Sequence, residues 1–214
     1  MVRIILVRHG ETKWNIEGRY QGQEDTDLSG RGLEQGRLLA QGLKGVPIDV
    51  FVSSPLKRSF MTASFCAELH GDTVAKDERL TEINHGLWEG RLAGDIEAEY
   101  PEEFAAWHTQ PHTVQMPGEG GESLEDVRAR ARAAFDDYAQ KYAGKTVLVA
   151  AHDAVNKAVI CDLLGLSQAA FWQIKQDNTC INVLEEQDGR WRLVLLNSTT
   201  HLGYLFSGIE QKGL

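Results

Sequence analysis

Three short runs of the chain carry side chains that can do chemistry on an anion. In Arg8-His9-Gly10-Glu11-Thr12 an imidazole, a nucleophile or base near neutral pH, adjoins a guanidinium whose forked N–H groups match oxyanion geometry. Gly10 leaves room for a ligand to approach the backbone closely. Taken alone, a strand end with an incidental histidine explains this run equally well. Ser53-Ser54-Pro55-Leu56-Lys57-Arg58 adds a second guanidinium at the start of a helical pattern, where free backbone N–H groups favour negative charge. Ala151-His152-Asp153 supplies a second imidazole. Each run directly follows a short apolar stretch. Two histidines and two arginines in equivalent positions make an anion site the better reading.

The apolar stretches are the elements that must carry these residues. Val2 to Val7, Ile48 to Ser53 and Thr146 to Ala151 are short and rich in β-branched residues, as expected of buried strands. Helical patterns separate them. Gly32 to Lys44 has Leu33, Leu39 and Leu43 at helical spacing, weakened by Gly36 and Gly42. Pro55 suits the entry to a helix that runs to about His70, and Asp153 to Leu164 reads as another helix. Ser123-Leu124-Glu125-Asp126 resembles a capping box, opening a helix with Leu124, Val127, Ala131, Ala134, Phe135 and Tyr138 on one face. Thr179 to Glu186 and Arg190 to Asn197 alternate like strands around Asp188-Gly189, a strong hairpin signal. The pattern predicts an α/β sandwich with a mainly parallel sheet and an antiparallel component. Open sheets of this kind bind ligands beyond the carboxyl ends of their strands, where the three runs fall. Residues 84–122, with Pro101, Pro111 and Pro117 and ending in Gly118, Gly120 and Gly121, read as a lid-like insertion with a helix near Tyr100 to Trp107. Phe171, Trp172 and Ile174 suggest an apolar helix face, Trp191 a hairpin anchor, and such aromatics also suit a homodimer contact.

Composition excludes several other classes. The chain has 214 residues, 42% hydrophobic and 25% charged, which suits one domain spanning 1–214 and not a fibrous or disordered protein. The net charge of −9 argues against a nucleic-acid or membrane-surface binder. That charge is uneven: residues 1–60 hold nine Lys and Arg against seven Asp and Glu, so the acidity lies later. Cys66, Cys161 and Cys180 form no C-x-x-C pair, as expected of a reduced cytoplasmic protein. The apolar N-terminal run is too short for a membrane span and lacks a signal-peptide cleavage pattern.

Val7-Arg8-His9-Gly10-Glu11-Thr12 resembles the signature of the histidine phosphatase superfamily, the phosphoglycerate mutase-like proteins. Asn15, Gly18 to Gly22, Asp27-Leu28-Ser29, Gly32, Gln35, Ser53 to Arg58, Leu80, Glu82, Gly86, Glu89-Gly90, Gly120 to Ser123 and His152 continue the match in family order over nearly the whole chain. The resemblance implies a three-layer sandwich with helices on both faces of the sheet. It implies His9 as phosphoryl acceptor, Arg8, Arg58 and His152 around the phosphate with Asn15 assisting, and Glu82 as proton donor and then base for water. Gln21 and Gly22 join as substrate-binding positions. These roles agree with phosphoryl transfer, which depends chiefly on positioned positive charge. No cofactor or metal is implied, and no cluster has metal-ligand spacing. Many relatives have Gly after the second histidine and Arg four positions on. Asp153 and Lys157 depart from this, and Asp153 threatens the phosphate site unless it points away.

Within the family, mutase and phosphatase are the two enzyme readings. A mutase holds a bisphosphate, which calls for extra cations. Between Ile83 and Glu122, Arg91 is the sole Lys or Arg among eight acidic residues, which disfavours a second phosphate. Glu82 to Gly90, Tyr100 to Phe104, Trp107, Pro111-His112 and Thr200 to Gly203 look like the bacterial metal-independent phosphoserine phosphatases, implying His85 as a substrate reader, with His201 a further candidate. A surface or packing role for each of these histidines is the plain alternative. The favoured expectation is hydrolysis of a small phosphorylated metabolite, phosphoserine first. Alternatives are a 2,3-bisphosphoglycerate-dependent mutase, an α-ribazole or broad-specificity phosphatase, and an inactive regulatory binding module. Retention of His9, Arg8, Arg58, Glu82 and His152 argues against the last.

Overall fold

The computed structural model describes residues 1–205; the end of the expected 1–214 domain lies outside the described residues. Six strands form one sheet: β1 (Val2–Arg8), β2 (Val50–Ser53), β3 (Val74–Lys76), β4 (Thr146–Ala151), β5 (Ile181–Gln187) and β6 (Arg190–Ser198), in the order β3-β2-β4-β1-β5-β6. The first four run parallel, β5 pairs antiparallel with β1, and β6 pairs antiparallel with β5. The helices are α1 (Lys13–Glu17), α2 (Gly30–Leu43), α3 (Lys57–His70), α4 (Ala93–Glu99), α5 (Pro101–Thr109), α6 (Leu124–Lys141) and α7 (Asp153–Leu163).

The two-residue period of β1 explains the three layers. Val2, Ile4 and Leu6 join Val127, Ala131 and Phe135 of α6 and Val155 and Val159 of α7 in one core. Ile5 and Val7 point to the other face, where Leu39 and Leu43 of α2 and Ala63 and Cys66 of α3 cover them. Both faces are buried, so the central strands are continuous apolar runs. Trp88, Ile96 and Trp107 from residues 84–122 are fully buried in the first core, making that segment part of the main packing. The expected aromatics also turn inward: Trp107 packs on Phe171 and Trp172, and Trp191 on Phe135.

Boundaries differ from the sequence reading for local reasons. Helix α2 starts two residues early because the Ser29 hydroxyl accepts from the Gly32 N–H at 3.0 Å. Strand β5 starts at Ile181, not Thr179, because Thr179 has φ 56°, outside strand geometry. Asp188 and Gly189 also have positive φ, which suits the expected hairpin.

One contact fixes the strand-end loop against the helix layer. A side chain on Gly32 would place its Cβ 2.0 Å from the Glu11 carbonyl oxygen, and one on Gly10 would stand 2.6 Å from the Gly32 carbonyl. Gly32→Ala is therefore expected to push α2 off the 9–11 loop and destabilise the chain by about 1–3 kcal/mol, as overpacking does. Denaturant melts of the variant and the parent test this; equal midpoints and slopes would refute the close packing.

Candidate active site

Strand register brings the three runs to one sheet edge. Arg8 pairs with Ala151 and Ser53 with Ala150, so β1, β2 and β4 end together. The ladder continues past the strands: His9 N–H donates to the Ala151 carbonyl at 3.1 Å and Ser54 N–H to the Ala150 carbonyl at 3.0 Å. His9, Arg8, Arg58, Glu82 and His152 are all buried. The His9 and His152 ring centroids lie 5.2 Å apart.

His9 Nδ1 lies 2.7 Å from the Gly10 carbonyl oxygen. A carbonyl only accepts, so Nδ1 carries the proton and Nε2 keeps the lone pair. Burial, then the nearby Arg58 and Arg8 charges, hold the His9 imidazole well below its ordinary pKa. The His152 imidazole is lowered in the same way, by burial first and then Arg58. Its Nε2 is 2.8 Å from the Ser54 hydroxyl. Both rings are therefore neutral near pH 7.

Each arginine is held by backbone carbonyls. Arg8 Nη1 donates to the Gln176 carbonyl at 2.6 Å, and the Gln176 carboxamide is locked by Asn182 at 2.8 and 2.9 Å. Arg58 Nη2 donates to the Gly22 carbonyl and Nη1 to the Glu24 carbonyl, at 2.8 and 2.7 Å. Arg58 thus fixes the 22–26 loop, whose Asp25 in turn accepts from the Lys57 N–H at the start of α3. Burial lowers the Arg58 pKa to about 10, which leaves the group charged. Among the described residues, Arg8 Nε, Arg58 Nε, His152 Nδ1 and Gln21 Nε2 are buried with no hydrogen-bond partner. An unmade bond at a buried polar atom costs about 1–3 kcal/mol, so such a cluster is suited to receive acceptor oxygens.

Glu82 sits beside this cluster. Its Oε1 accepts from Ile83 N–H at 2.9 Å and its Oε2 from Ala154 N–H at 3.3 Å, at the open start of α7. Those bonds favour the carboxylate. Burial and the Asp153 charge outweigh them, and the Glu82 pKa is raised. Arg130 clamps the Glu82 loop, donating to the carbonyls of Arg79, Thr81 and Glu82 while its guanidinium forks onto Glu122 at 2.8 and 2.9 Å. Glu89 accepts from the N–H groups of Gln23 and His85, and a side chain on Gly22 would strike it. Two of the eight acidic residues of the 84–122 segment are therefore structural ties.

The other expected positions are placed differently. Asn15 closes the capping box of α1, and its Oδ1 accepts from Thr12 N–H and the Asn178 amide. Gln21 Oε1 accepts from the Thr12 and Thr26 hydroxyls. His85 is fully buried among Tyr20, Trp107 and Met116, its pKa pushed down to about 3 by burial. His201 does not touch the cluster directly: its Nε2 is 3.1 Å from the Thr179 hydroxyl, and the Thr179 N–H donates to the Arg8 and His9 carbonyls. Sequence reasoning missed the loop of Gln176, Asn178 and Thr179, which braces Arg8 and His9. The hairpin signal could have found it, because an antiparallel β5 must begin at the edge where β1 ends. Asp153, expected near the phosphate, lies 3.4 Å from Arg8 and 2.7 Å from Lys157.

Comparison with known proteins agrees with this geometry. The family model for the histidine phosphatase superfamily, branch 1, matches residues 4–199. Phosphoserine phosphatase 1 of Hydrogenobacter thermophilus is 41% identical, with 96% of this chain and 97% of that protein covered. A metal-independent phosphoserine phosphatase of Arabidopsis thaliana is 32% identical, with 98% and 88% covered. The structure of a phosphoserine phosphatase mutant from Entamoeba histolytica, in complex with phosphoserine, is 28% identical and superposes with TM-score 0.84 over 94% of this chain and all of that one. YhfR of Bacillus stearothermophilus, also 28% identical, gives TM-score 0.89 over the same shares.

The unpartnered donors make a binding prediction. Inorganic phosphate at about 100 times its dissociation constant should stabilise the chain by about 2.7 kcal/mol and raise Tm accordingly. Arg58→Met should lower the starting Tm and remove most of the phosphate-induced shift. A parent Tm unmoved by saturating phosphate would contradict the anion site.

Proposed function

The chain belongs to the histidine phosphatase superfamily, and we propose that it hydrolyses small phosphomonoesters through a phosphohistidine on His9, without metal, with phosphoserine its favoured substrate. The observation that carries the reading is the buried cluster of Arg8, Arg58 and His152 donors around a neutral His9 whose Nε2 is free to attack.

In this reading His9 Nε2 attacks phosphorus and the ester P–O bond breaks. The leaving oxygen takes its proton from Glu82, whose pKa burial and the Asp153 charge raise, favouring the protonated form. The Glu82 carboxylate then removes a proton from water as it attacks the phosphohistidine. The P–N bond breaks, inorganic phosphate leaves, and both residues return to their starting states. Arg8 and Arg58 carry the charge that gathers on the phosphoryl oxygens. Asn15, Gln21 and Gly22 shape the entry to that site. His85, neutral by burial, reads the alcohol part of the substrate through a hydrogen bond and not a charge pair. His201 acts at one remove, through Thr179.

The acidic 84–122 segment supports a phosphatase over a mutase, because its single basic side chain, Arg91, is paired with Glu99. The three buried thiols support residence in the cytoplasm, and among the described residues no helix is long and apolar enough to cross a membrane.

Phosphate release from an aryl phosphate is expected to persist in EDTA and to vanish in His9→Ala; release from His9→Ala equal to the parent would sink the mechanism. Among phosphomonoesters, phosphoserine should give the highest kcat/KM. Interconversion of 3- and 2-phosphoglycerate primed by 2,3-bisphosphoglycerate, at rates above hydrolysis, would instead favour the mutase.

The rate requires His9 neutral and Glu82 protonated. Because His9 is lowered, activity should persist at pH values below the ordinary imidazole range. Because Glu82 is raised, activity should fall on the alkaline side only above the ordinary carboxylate range. Glu82→Gln should remove that alkaline limb and reduce kcat by about 10²–10⁴. An unchanged limb in this variant would assign it to another group.

A further inference from the structure

Asp153 and Lys157 stand one helical turn apart on α7, fully buried, with Nζ 2.7 Å from Oδ2. The other carboxylate oxygen, Oδ1, is 3.4 Å from Arg8 Nη1. The Lys157 ammonium also lies over the Phe171 and Trp172 rings, 4.9 and 4.5 Å from their centroids. We propose that Asp153 and Lys157 are a coupled positioning pair for phosphate at Arg8, in which the carboxylate steers the guanidinium and the ammonium restores the positive charge that the carboxylate withdraws. The inference rests on the reading of Arg8 as a phosphate-binding group.

Two anchors on one Arg8 nitrogen, Asp153 and the Gln176 carbonyl, set the plane of the guanidinium and leave Nε as the donor without a partner. A carboxylate so close would by itself bring the local charge of Arg8 to zero. Lys157 returns it to +1, the charge that Arg8 alone would have. The ring faces make a buried ammonium tolerable, since cation–π attraction strengthens once water is excluded. The carboxylate and the ammonium therefore act on Arg8 together: the one withdraws charge that the other returns.

Among the described residues, the charged and titratable groups that face Asp153 include Arg8 from β1, Lys157 from its own helix, Glu82 and His85 from the loop beyond β3, and Cys180 at the entry to β5. The Asp153 charge supports the protonated form of Glu82, so its removal has a second, separate readout.

Calorimetric titration with inorganic phosphate tests the coupling, alongside KM, kcat and pH profiles on an aryl phosphate. Lys157→Met should weaken phosphate binding by about tenfold, the effect of one uncompensated charge nearby, and raise KM more than it lowers kcat. Lys157→Arg should bind phosphate like the parent. The double variant Asp153→Asn/Lys157→Met should recover the affinity lost in Lys157→Met, and Asp153→Asn should move the alkaline limb to lower pH. Lys157→Met with parental phosphate affinity, or a double variant no better than Lys157→Met, would overturn the proposal. Should Lys157→Met not fold, Asp153→Asn and the double variant carry the test: Asp153→Asn, which keeps Lys157, should bind phosphate about tenfold more tightly than the double variant, and equal affinities would refute the proposal. A parent that binds phosphate with this Lys157 dependence yet hydrolyses no ester would remove the hydrolase reading and leave the pair; a parent that binds no phosphate removes the pair.

Discussion

Two like charges brought out of water at the end of one sheet are the constraint on which the rest of the molecule depends. Arg8 and Arg58 are both buried, and each depresses the basicity of the other groups around it. Such a cluster is held in a fold only if dipoles replace the lost hydration. The carbonyls of Gln176, Gly22 and Glu24 do so, and they belong to two loops far apart in sequence. Each of those loops is in turn tied to a further element: the first by the Gln176–Asn182 lock, the second by Asp25 on α3 and Glu89 on the 84–122 segment. Much of the loop structure on this edge follows from the need to solvate two guanidiniums without water.

The mixed sheet serves the same end. A wholly parallel sheet would bring only strand exits to this edge. Because β5 runs antiparallel to β1, its entry lies there too, and residues 176–180 reach Arg8 and His9 from the side opposite β4. The hairpin that closes the chain thus supplies carbonyls and amides to the site and not only an edge to the sheet.

These facts explain what the sequence could disclose. Strands β1 and β4 are buried on both faces, so their apolar runs are unambiguous, and the residues just beyond them were legible as candidate site residues. Strand β3 is three residues long and mostly exposed, with no pattern to read. Helix α1 has five residues and rests on the Thr12–Asn15 capping box, not on an apolar face. The bracing role of Asn178 and Thr179 was hidden because it depends on strand direction, a property of the whole sheet. Asp153 was legible as a threat to the phosphate site but not as half of a pair, since spacing of i, i+4 shows that two side chains can meet and not that both are buried beside Arg8.

Burial also sorts the protonation states that phosphoryl transfer needs. Removing water disfavours whichever form is charged, so a single cause acts in opposite directions on acids and bases. His9 and His152 start near neutrality and are pushed into the uncharged state, which gives the proposed nucleophile, His9, a free lone pair. Glu82 starts low and is pushed up, which favours the proton that a leaving alkoxide requires. Arg58 starts so high that the same penalty brings it only to about 10, and it keeps its charge. A lysine in its place would begin nearer neutrality, at about 10.4, and a comparable drop would put its charge at risk. The choice of arginine at the proposed phosphate site follows from that difference in starting point. Lys157, buried on the same edge, stands against a carboxylate, so its charge too is met by a fixed partner in place of water.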